Sequence, residues 1–430
     1  MIFIVITIAL ALSFAIYKVW VLVKKEERIY KMTNYFDLPC QSLSLVNGGN
    51  LKYYSPTTME KFQEYVKDLE KSGFKSVCRR TDGGNDFVSL INGEDFVHAY
   101  FSQRDSGVRI ITEHTPVLPC FEPVKPEKYT VPSVTQLKLD YEHEAFGMSY
   151  IITLQDSTFI IIDGGLNGGS YGNDNCEHLW NKLNELNKRP DGKIIINAWL
   201  LTHAHPDHYM AMRDFSVQYG DCVEIDMLIS NVPPIEFSMG SVTFDPFDGD
   251  GSAMKSIANN FTSKPKIYRP HTGQEFYIKN LKFEVMYTFE DYYPDVLTDF
   301  NTSGVVLRMT MMDNTLMWAA DTRILGGEKM ADLWGELLKS DIVQVPHHGF
   351  FDGGGERWYG LVGARLALRP AAYWNAWFCY SQSAIVRNWL TQKGNVDIVY
   401  ADGSDATLLF LYDGCVVDGD NKREYIFDRF

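Results

Sequence analysis

The chain has 430 residues, with 55 Asp and Glu against 40 Lys and Arg and a formal net charge of −15. That length exceeds what one ordinary hydrophobic core organises, so two domains are expected. The acidic balance repels polyanions, which argues against tight nucleic-acid binding but leaves room for a small anion held locally by cations.

Residues 2–23 (IFIVITIALALSFAIYKVWVLV) hold one charge, Lys18, and are long enough to cross a bilayer as a single helix. Lys24, Lys25, Glu26, Glu27 and Arg28 follow at once. A cleaved signal would carry positive charge before the apolar run and small residues after it. An uncleaved, single-pass transmembrane anchor is therefore expected, and the basic residues on its C-terminal side place the main body in the cytoplasm. Residues 35–114 read as a small α+β domain. Met59, Phe62, Tyr65, Val66 and Leu69 fall at helical spacing, with Thr57 or Thr58 as N-cap and Gly73 as the stop. Strand-like runs at 74–78, 87–91, 96–101 and 108–112 follow, separated by Gly-containing turns. Prolines 116, 119, 123, 126 and 132 make 115–133 an extended linker.

Residues 134–430 alternate strand and helix. Strands are expected at 150–154 and 158–163 (a hairpin), 193–201, 223–229, 275–285, 304–310, 315–319, 341–345, 397–400 and 406–411. Helices are expected at 175–188, from Asp207 onward, at 328–339 and at 383–392. This alternation predicts layered α/β packing with helices outside and sheets within. Seven cysteines stand singly, without a CxxC pair, so free thiols in a reducing compartment are expected, with no disulfide framework.

The chemistry concentrates after residues 194–201 (IIINAWLL), which read as a strand buried on both faces. As that strand ends, the polar run Thr202-His203-Ala204-His205-Pro206-Asp207-His208 begins. Three histidines and one aspartate in six residues supply the nitrogen and oxygen donors that suit zinc and neighbouring divalent ions. His203 and His205 alternate while Asp207 and His208 are adjacent, an arrangement able to serve two metals side by side. A cluster of histidines on a surface turn is the bland alternative.

HAHPDH at 203–208 matches the HxHxDH motif of the metallo-β-lactamase fold superfamily. Ile160-Ile161-Ile162-Asp163-Gly164-Gly165 resembles that superfamily's strand followed by DGG, and Ala319-Ala320-Asp321-Thr322 resembles its metal-bridging aspartate at a strand end. DIVQVPHHG at 341–349 is similar to the HHG motif of the branch related to the hydrolase domain of the DNA-uptake protein ComEC. These motifs lie in order within residues 134–412. The resemblance implies a metallo-β-lactamase-like αββα sandwich over 134–430 and a metal-dependent hydrolase. His203 and His205 would hold one divalent ion, Asp207 and His208 the other, with Asp321 shared and His347 or His348 completing the second site. Zinc is the expected metal, with manganese an option. Two such cations lower the pKa of a bound water to give hydroxide at neutral pH. Asp207 and Asp163 are the candidate catalytic carboxylates, Asp163 acting by orienting a ligand.

Adjacent histidines do not easily face one metal together, and His347 is favoured slightly over His348. His271 lies in a turn and is expected to be solvent-exposed, while His98, His114, His143 and His178 lack metal-like neighbours. Many members of the superfamily carry a further histidine before the bridging aspartate. The matching stretch, residues 299–304, has none and resembles the Asn/Ser version of the ComEC-like branch. No histidine follows His348 either; residues 370–382 offer Trp374, Asn375, Tyr380 and Ser381 instead. A small phosphodiester is the expected substrate. The alternatives are a carboxylic ester, thioester, lactone or β-lactam, or a binding or sensing protein with weakened metal sites.

Overall fold

The computed structural model describes residues 35–36, 38–114, 116–138, 147–168, 175–241, 245, 247–371, 380–401, 405–411, 414–418 and 423–426. The expected anchor at 2–23 lies outside them. Among the described residues no helix is long and apolar enough to cross a membrane.

A six-stranded antiparallel sheet comes first, in the order Cys40–Ser44, Asn50–Tyr54, Gly107–His114, Asp95–Ser102, Asn85–Asn92, Lys75–Asp82. The helix Met59–Lys71 is capped by Thr58, whose side chain accepts from Lys61 N. It sets Phe62, Tyr65, Val66 and Leu69 against Val88, Leu90, Val97, Ala99 and Ile110 on one sheet face. The alternate residues Leu51, Phe87, Tyr100 and Ile111 enter a core shared with Met286, Tyr287 and Trp334 of the second unit. Phe87 stacks on Trp334 with ring centroids 5.0 Å apart. Being covered on both faces, the strand Asp95–Ser102 is buried along its whole length, as its nearly continuous apolar run requires.

Residues 116–132 carry only one bridge, Cys120 to Tyr277. They lie along the second unit, where Val124 N donates to Lys279 O and Tyr129 N to Gln155 O.

The second unit is built from two large sheets. A nine-stranded sheet runs Lys266–Tyr268, Met227–Ile229, Ile194–Leu200, Phe159–Ile162, Tyr150–Thr153, Ser133–Gln136, Ala406–Leu411, Gly414–Asp418, with Val223–Ile225 also paired to Ile194–Leu200. An eight-stranded sheet runs Glu275–Ile278, Leu281–Tyr287, Val306–Met311, Asn314–Trp318, Ile342–Gln344, Leu366–Arg369, Val396–Tyr400, Arg423–Ile426. Their inner faces meet in one core, where Tyr150, Ile152, Ile160 and Leu200 face Phe283, Leu307, Trp318 and Leu368. On the outer face of the nine-stranded sheet, Leu179, Leu183, Met212, Phe215, Met254 and Ile257 close a second core from the helices Asn175–Leu186, Pro206–Gln218 and Ser252–Asn260. The helices Ile324–Trp334, Glu356–Val362 and Tyr380–Leu390 cover the outer face of the other sheet. The layers are thus helix, sheet, sheet, helix.

Two expected strands differ. The run 275–285 is a hairpin, Glu275–Ile278 with Leu281–Tyr287, turned at Lys279, whose φ is 55°. The run 223–229 is interrupted between Val223–Ile225 and Met227–Ile229, where Asp226 N leaves the ladder to donate to Ile196 O.

Candidate metal centre

The site is assembled where strands of both sheets end. Ile194–Leu200 runs parallel to Phe159–Ile162, with Leu200 opposite Ile162, so Asp163 and Thr202 leave the sheet side by side. In the other sheet Asn314–Trp318, Ile342–Gln344 and Leu366–Arg369 are also parallel, which brings Asp321, His348 and Pro370 to a common edge. The carboxyl ends of parallel strands are where open α/β sheets leave a crevice. Val305 N donates to Thr202 O and links the two sheets at this edge.

Sharp backbone turns aim the side chains. Asp163, Ala320, His347 and His348 have φ of 52°, 53°, 51° and 53°, a left-handed conformation costing roughly 1–3 kcal/mol each outside glycine. Hydrogen bonds hold these turns in place. The side chain of Gln344 accepts from Ala319 N and donates to Ala320 O and Val345 O, while Arg369 Nε donates to His348 O. Close packing accounts for the first of the two glycines after Asp163, Gly164. Its N–H donates to His208 O, and a Cβ there would lie 2.6 Å from Met212 N. The first turn of the metal-loop helix therefore rests directly on the glycine backbone.

Asp207, His208, Asp321 and His348 each offer one donor atom, and the four atoms lie within 4.8 Å of one another. His208 Nε2 is 3.2 Å from Asp321 Oδ2. His348 Nε2 is 3.1 Å from Oδ2 of both Asp207 and Asp321. Each histidine is fixed from behind: His208 Nδ1 donates to Asp163 Oδ2 at 2.7 Å, and His348 Nδ1 donates to Pro370 O at 2.9 Å. These contacts turn Nε2 of both rings inward, the arrangement metal-ligating histidines adopt. Asp163 is itself held by Thr202, whose N and Oγ1 both donate to it at 2.7 Å.

A second group adjoins the first. His203 Nε2 lies 3.1 Å from His205 Nδ1, 3.1 Å from Asn301 Oδ1 and 4.0 Å from Asp321 Oδ2. Asn301 Nδ2 donates to His347 Nε2 at 3.0 Å, and His347 Nδ1 donates to Asp352 Oδ1 at 2.7 Å. The geometry thus reverses the preference between the adjacent histidines. His348 faces the four-residue cluster, whereas His347 is turned toward Asn301 and Asp352. Arg323 pairs with both Asp299 and Asp352, and Asp299 Oδ1 accepts from Asn301 N. The loops carrying Asn301 and His347 are joined by this one guanidinium.

Electrostatics fit a cation-binding site. Burial alone would lower the pKa of His208, but Asp321, Asp207 and Asp163 outweigh it and hold the ring well above its ordinary value. Burial likewise opposes charge on His348, yet Asp321 and Asp207 push it up to about 10. The carboxyl of Asp321, despite desolvation, is held well below the usual range by His348 and His208. His203 is the exception: burial and the neighbouring His208 and His205 keep it neutral. Asp321 Oδ1 is buried and has no hydrogen-bond partner among the described residues. A buried carboxylate oxygen without a donor is costly, and a cation would satisfy it. The donor set of imidazole and carboxylate therefore fits a divalent ion such as zinc.

His271 is buried rather than exposed. Its Nδ1 lies 2.8 Å from Glu290 Oε1, and its ring stacks on that of His98, with centroids 5.2 Å apart. The first sheet closes over this turn, which is why a local reading misplaces it. Residues 372–379 lie outside the described residues, and with them Trp374 and Asn375. Thr202, Gln344, Arg323 and Asp352 complete the site without carrying a recognisable motif; the Thr-before-motif position and the charge embedded in the Gly-rich stretch 349–355 were the available signals.

No protein-family model matches the chain, and no curated protein matches it. Among solved structures, the metallo-beta-lactamase fold protein YhfI from Bacillus subtilis is similar at 13% identity and a TM-score of 0.33. The match covers 56% of this chain and 85% of that one. A mutant of the beta-hydroxylase CmlA is similar at 10% identity and a TM-score of 0.33, covering 56% of this chain and 46% of that one. Likenesses this distant carry no argument about the chemistry of this chain, which rests on its own site.

Proposed function

We infer that this chain is a metal-dependent hydrolase of the metallo-β-lactamase superfamily acting on a phosphodiester or related ester. The observation that carries this reading is the convergence of donor atoms of Asp207, His208, Asp321 and His348 within 4.8 Å, with Asp321 Oδ1 buried and without a donor among the described residues. These four would hold one divalent ion. His203 and His205 would hold a second, with Asp321 between the two and Asn301 Oδ1 standing where many members have a histidine. When bound, such ions would lower the pKa of water and polarise the phosphoryl or carbonyl oxygen of the ester, activating its phosphorus or carbon to attack.

The chain's own residues do the positioning. Asp163, Pro370 O and Asp352 fix the orientation of His208, His348 and His347 in turn. His208 and His348 would each have to give up an Nε2 proton to hold an ion, which would make loading pH-dependent. Asp207 is the more open of the two cluster carboxylates, its side chain 20% exposed against 3% for Asp321. It is the cluster carboxylate that solvent reaches more readily. The ComEC-like branch is part of this proposal, and so is a single-pass anchor at 2–23 with the body in the cytoplasm.

A chromogenic phosphodiester assayed beside a carboxylic ester, a lactone and a β-lactam tests the reading. Phosphodiester turnover that is lost in a chelator and restored by zinc or manganese is expected. Turnover of the lactone or β-lactam alone moves the chain to the second substrate class. No turnover of any substrate with the metal retained favours a binding or sensing role.

A further inference from the structure

Several large apolar side chains left in solvent lie on segments that carry, brace or adjoin the candidate ligands. Ten are exposed among the described residues, and five of them belong to turns, and to the start of one helix, that brace the candidate ligands or adjoin segments that do. Met239 and Val296 are 67% and 69% exposed, Ile324 and Leu325 38% and 52%, and Phe351 43%.

The loops are mutually tied. A Cβ on Gly240 would lie 3.8 Å from Val296 Cγ1, so the Met239 turn abuts the Val296 turn. Lys329 Nζ reaches Asp295 Oδ2 at 2.8 Å, joining the Val296 turn to the helix that begins with Ile324 and Leu325. Ile324 N donates to Asp352 O at 2.8 Å, next to Phe351. Arg323, between that helix and Asp321, pairs with Asp299 and Asp352, which support Asn301 and His347. Behind the rim an apolar cluster of Ala204, Val232, Tyr292, Leu297 and Phe300 reaches the metal loop, and Phe300 lies 5.4 Å from the ring of His205. Isolated exposed apolar residues need no explanation, but a group of them around a site does.

We propose that the substrate is an ester carrying an aliphatic tail, with its head at the metal centre and its tail across Met239, Val296, Leu325 and Phe351. This rests on the hydrolase reading and narrows its substrate class. The 22-residue apolar run at 2–23 agrees with work at a lipid surface, where such amphiphiles collect.

The test uses the full chain in a fixed, dilute non-ionic detergent, loaded with zinc or manganese. Methyl, butyl and octyl members of a p-nitrophenyl phosphodiester series and of a carboxylic ester series are compared by kcat/KM. Equilibrium binding of methylphosphonate and octylphosphonate is measured alongside. Burial of each methylene is worth up to about fourfold, so a preference of at least about tenfold for octyl over methyl is expected in both readouts. Val296→Ser, Leu325→Ser and Phe351→Ser should reduce that ratio. The exposed control Val217→Ser should not, which separates rim contact from partition into detergent. Faster turnover of the octyl ester in phosphatidylcholine vesicles than as monomer would identify the bilayer as its source; the reverse identifies a free amphiphile. Hydrolysis with no chain-length preference overturns the tail assignment and leaves the hydrolase reading intact. Preferential octylphosphonate binding without hydrolysis of either series overturns the hydrolase reading and keeps the rim as an amphiphile site. Equal binding of both phosphonates with no hydrolysis overturns both.

Discussion

Replacing Asp163 with Asn removes one negative charge while preserving size and shape. The backbone there has φ 52°, which Asn tolerates as well as Asp, so the substitution isolates the charge. Asp163 accepts from Thr202 N, Thr202 Oγ1 and His208 Nδ1, each at 2.7 Å. An amide offers one oxygen, and its NH2 group must face at least one of those donors. Hydrogen bonds to a charged group contribute roughly 1.5–3 kcal/mol each. Losing one and opposing a donor to it should cost about 3 kcal/mol of stability. The larger consequence concerns His208, whose Nε2 loses its fixed direction; loss of such a support typically lowers metal affinity 10–100-fold. Chemical unfolding of the full chain and competitive zinc titration of both proteins measure the two effects. Unchanged zinc affinity in Asp163→Asn would refute the argument that this carboxylate positions a ligand, even if stability fell.

Three further outcomes follow from the same geometry. His348→Ala should abolish binding of an ion at the Asp207–His208–Asp321 cluster, whereas His347→Ala should weaken loading only a fewfold; equal losses in metal content would show that the assignment of the two rings is wrong. In Gly164→Ala the new methyl would lie 2.6 Å from Met212 N and 3.2 Å from Ala211 Cβ. Such overpacking costs roughly 1–3 kcal/mol, and displacing the helix that carries His208 should lower zinc affinity as well, both read by titrated unfolding. At the junction of the two units, Glu290 and Glu113 outweigh the burial of His271 and push its pKa to about 10. Its folded pKa lies above the unfolded 6.5, so its contribution is complete below pH 6.5 and disappears as pH rises toward 10. Burial beside His271 depresses His98 instead, so its contribution is present above pH 6.5 and falls away in acid. Stability of the wild type should decline on both sides, and His271→Gln should flatten the alkaline limb and, because the His271 charge also depresses His98, soften the acid limb; an unchanged alkaline slope would remove His271 as its cause.

Much of the site was legible because its signals are local. The apolar run at 194–201, the polar loop after it and the strand before Asp163-Gly164-Gly165 each determine their own structure, and parallel pairing of Ile194–Leu200 with Phe159–Ile162 then sets Asp163 beside Thr202. What could not be read depends on distant chain. The choice between His347 and His348 is made by a left-handed turn whose carbonyls are held by Arg369 and whose ring is held by Pro370 O, about twenty residues onward. The burial of His271 is imposed by the first sheet, through His98 and Glu113. The hairpin within 275–285 turns at Lys279 and Asn280, which carry no glycine or proline to mark it. Likewise the strand Leu366–Arg369 and the helices Ser252–Asn260 and Glu356–Val362 are too short for periodicity to announce them, yet the first of these positions Pro370.

The most direct test of the metal-centre account is metal analysis of the purified full chain coupled to phosphodiester turnover, before and after chelation. The account predicts at least one equivalent of zinc or manganese per chain, loss of metal and turnover together, and their joint return on reloading, with none of this in Asp321→Asn. A chain that binds no divalent ion, or one whose turnover persists unchanged after the metal is stripped, would contradict it.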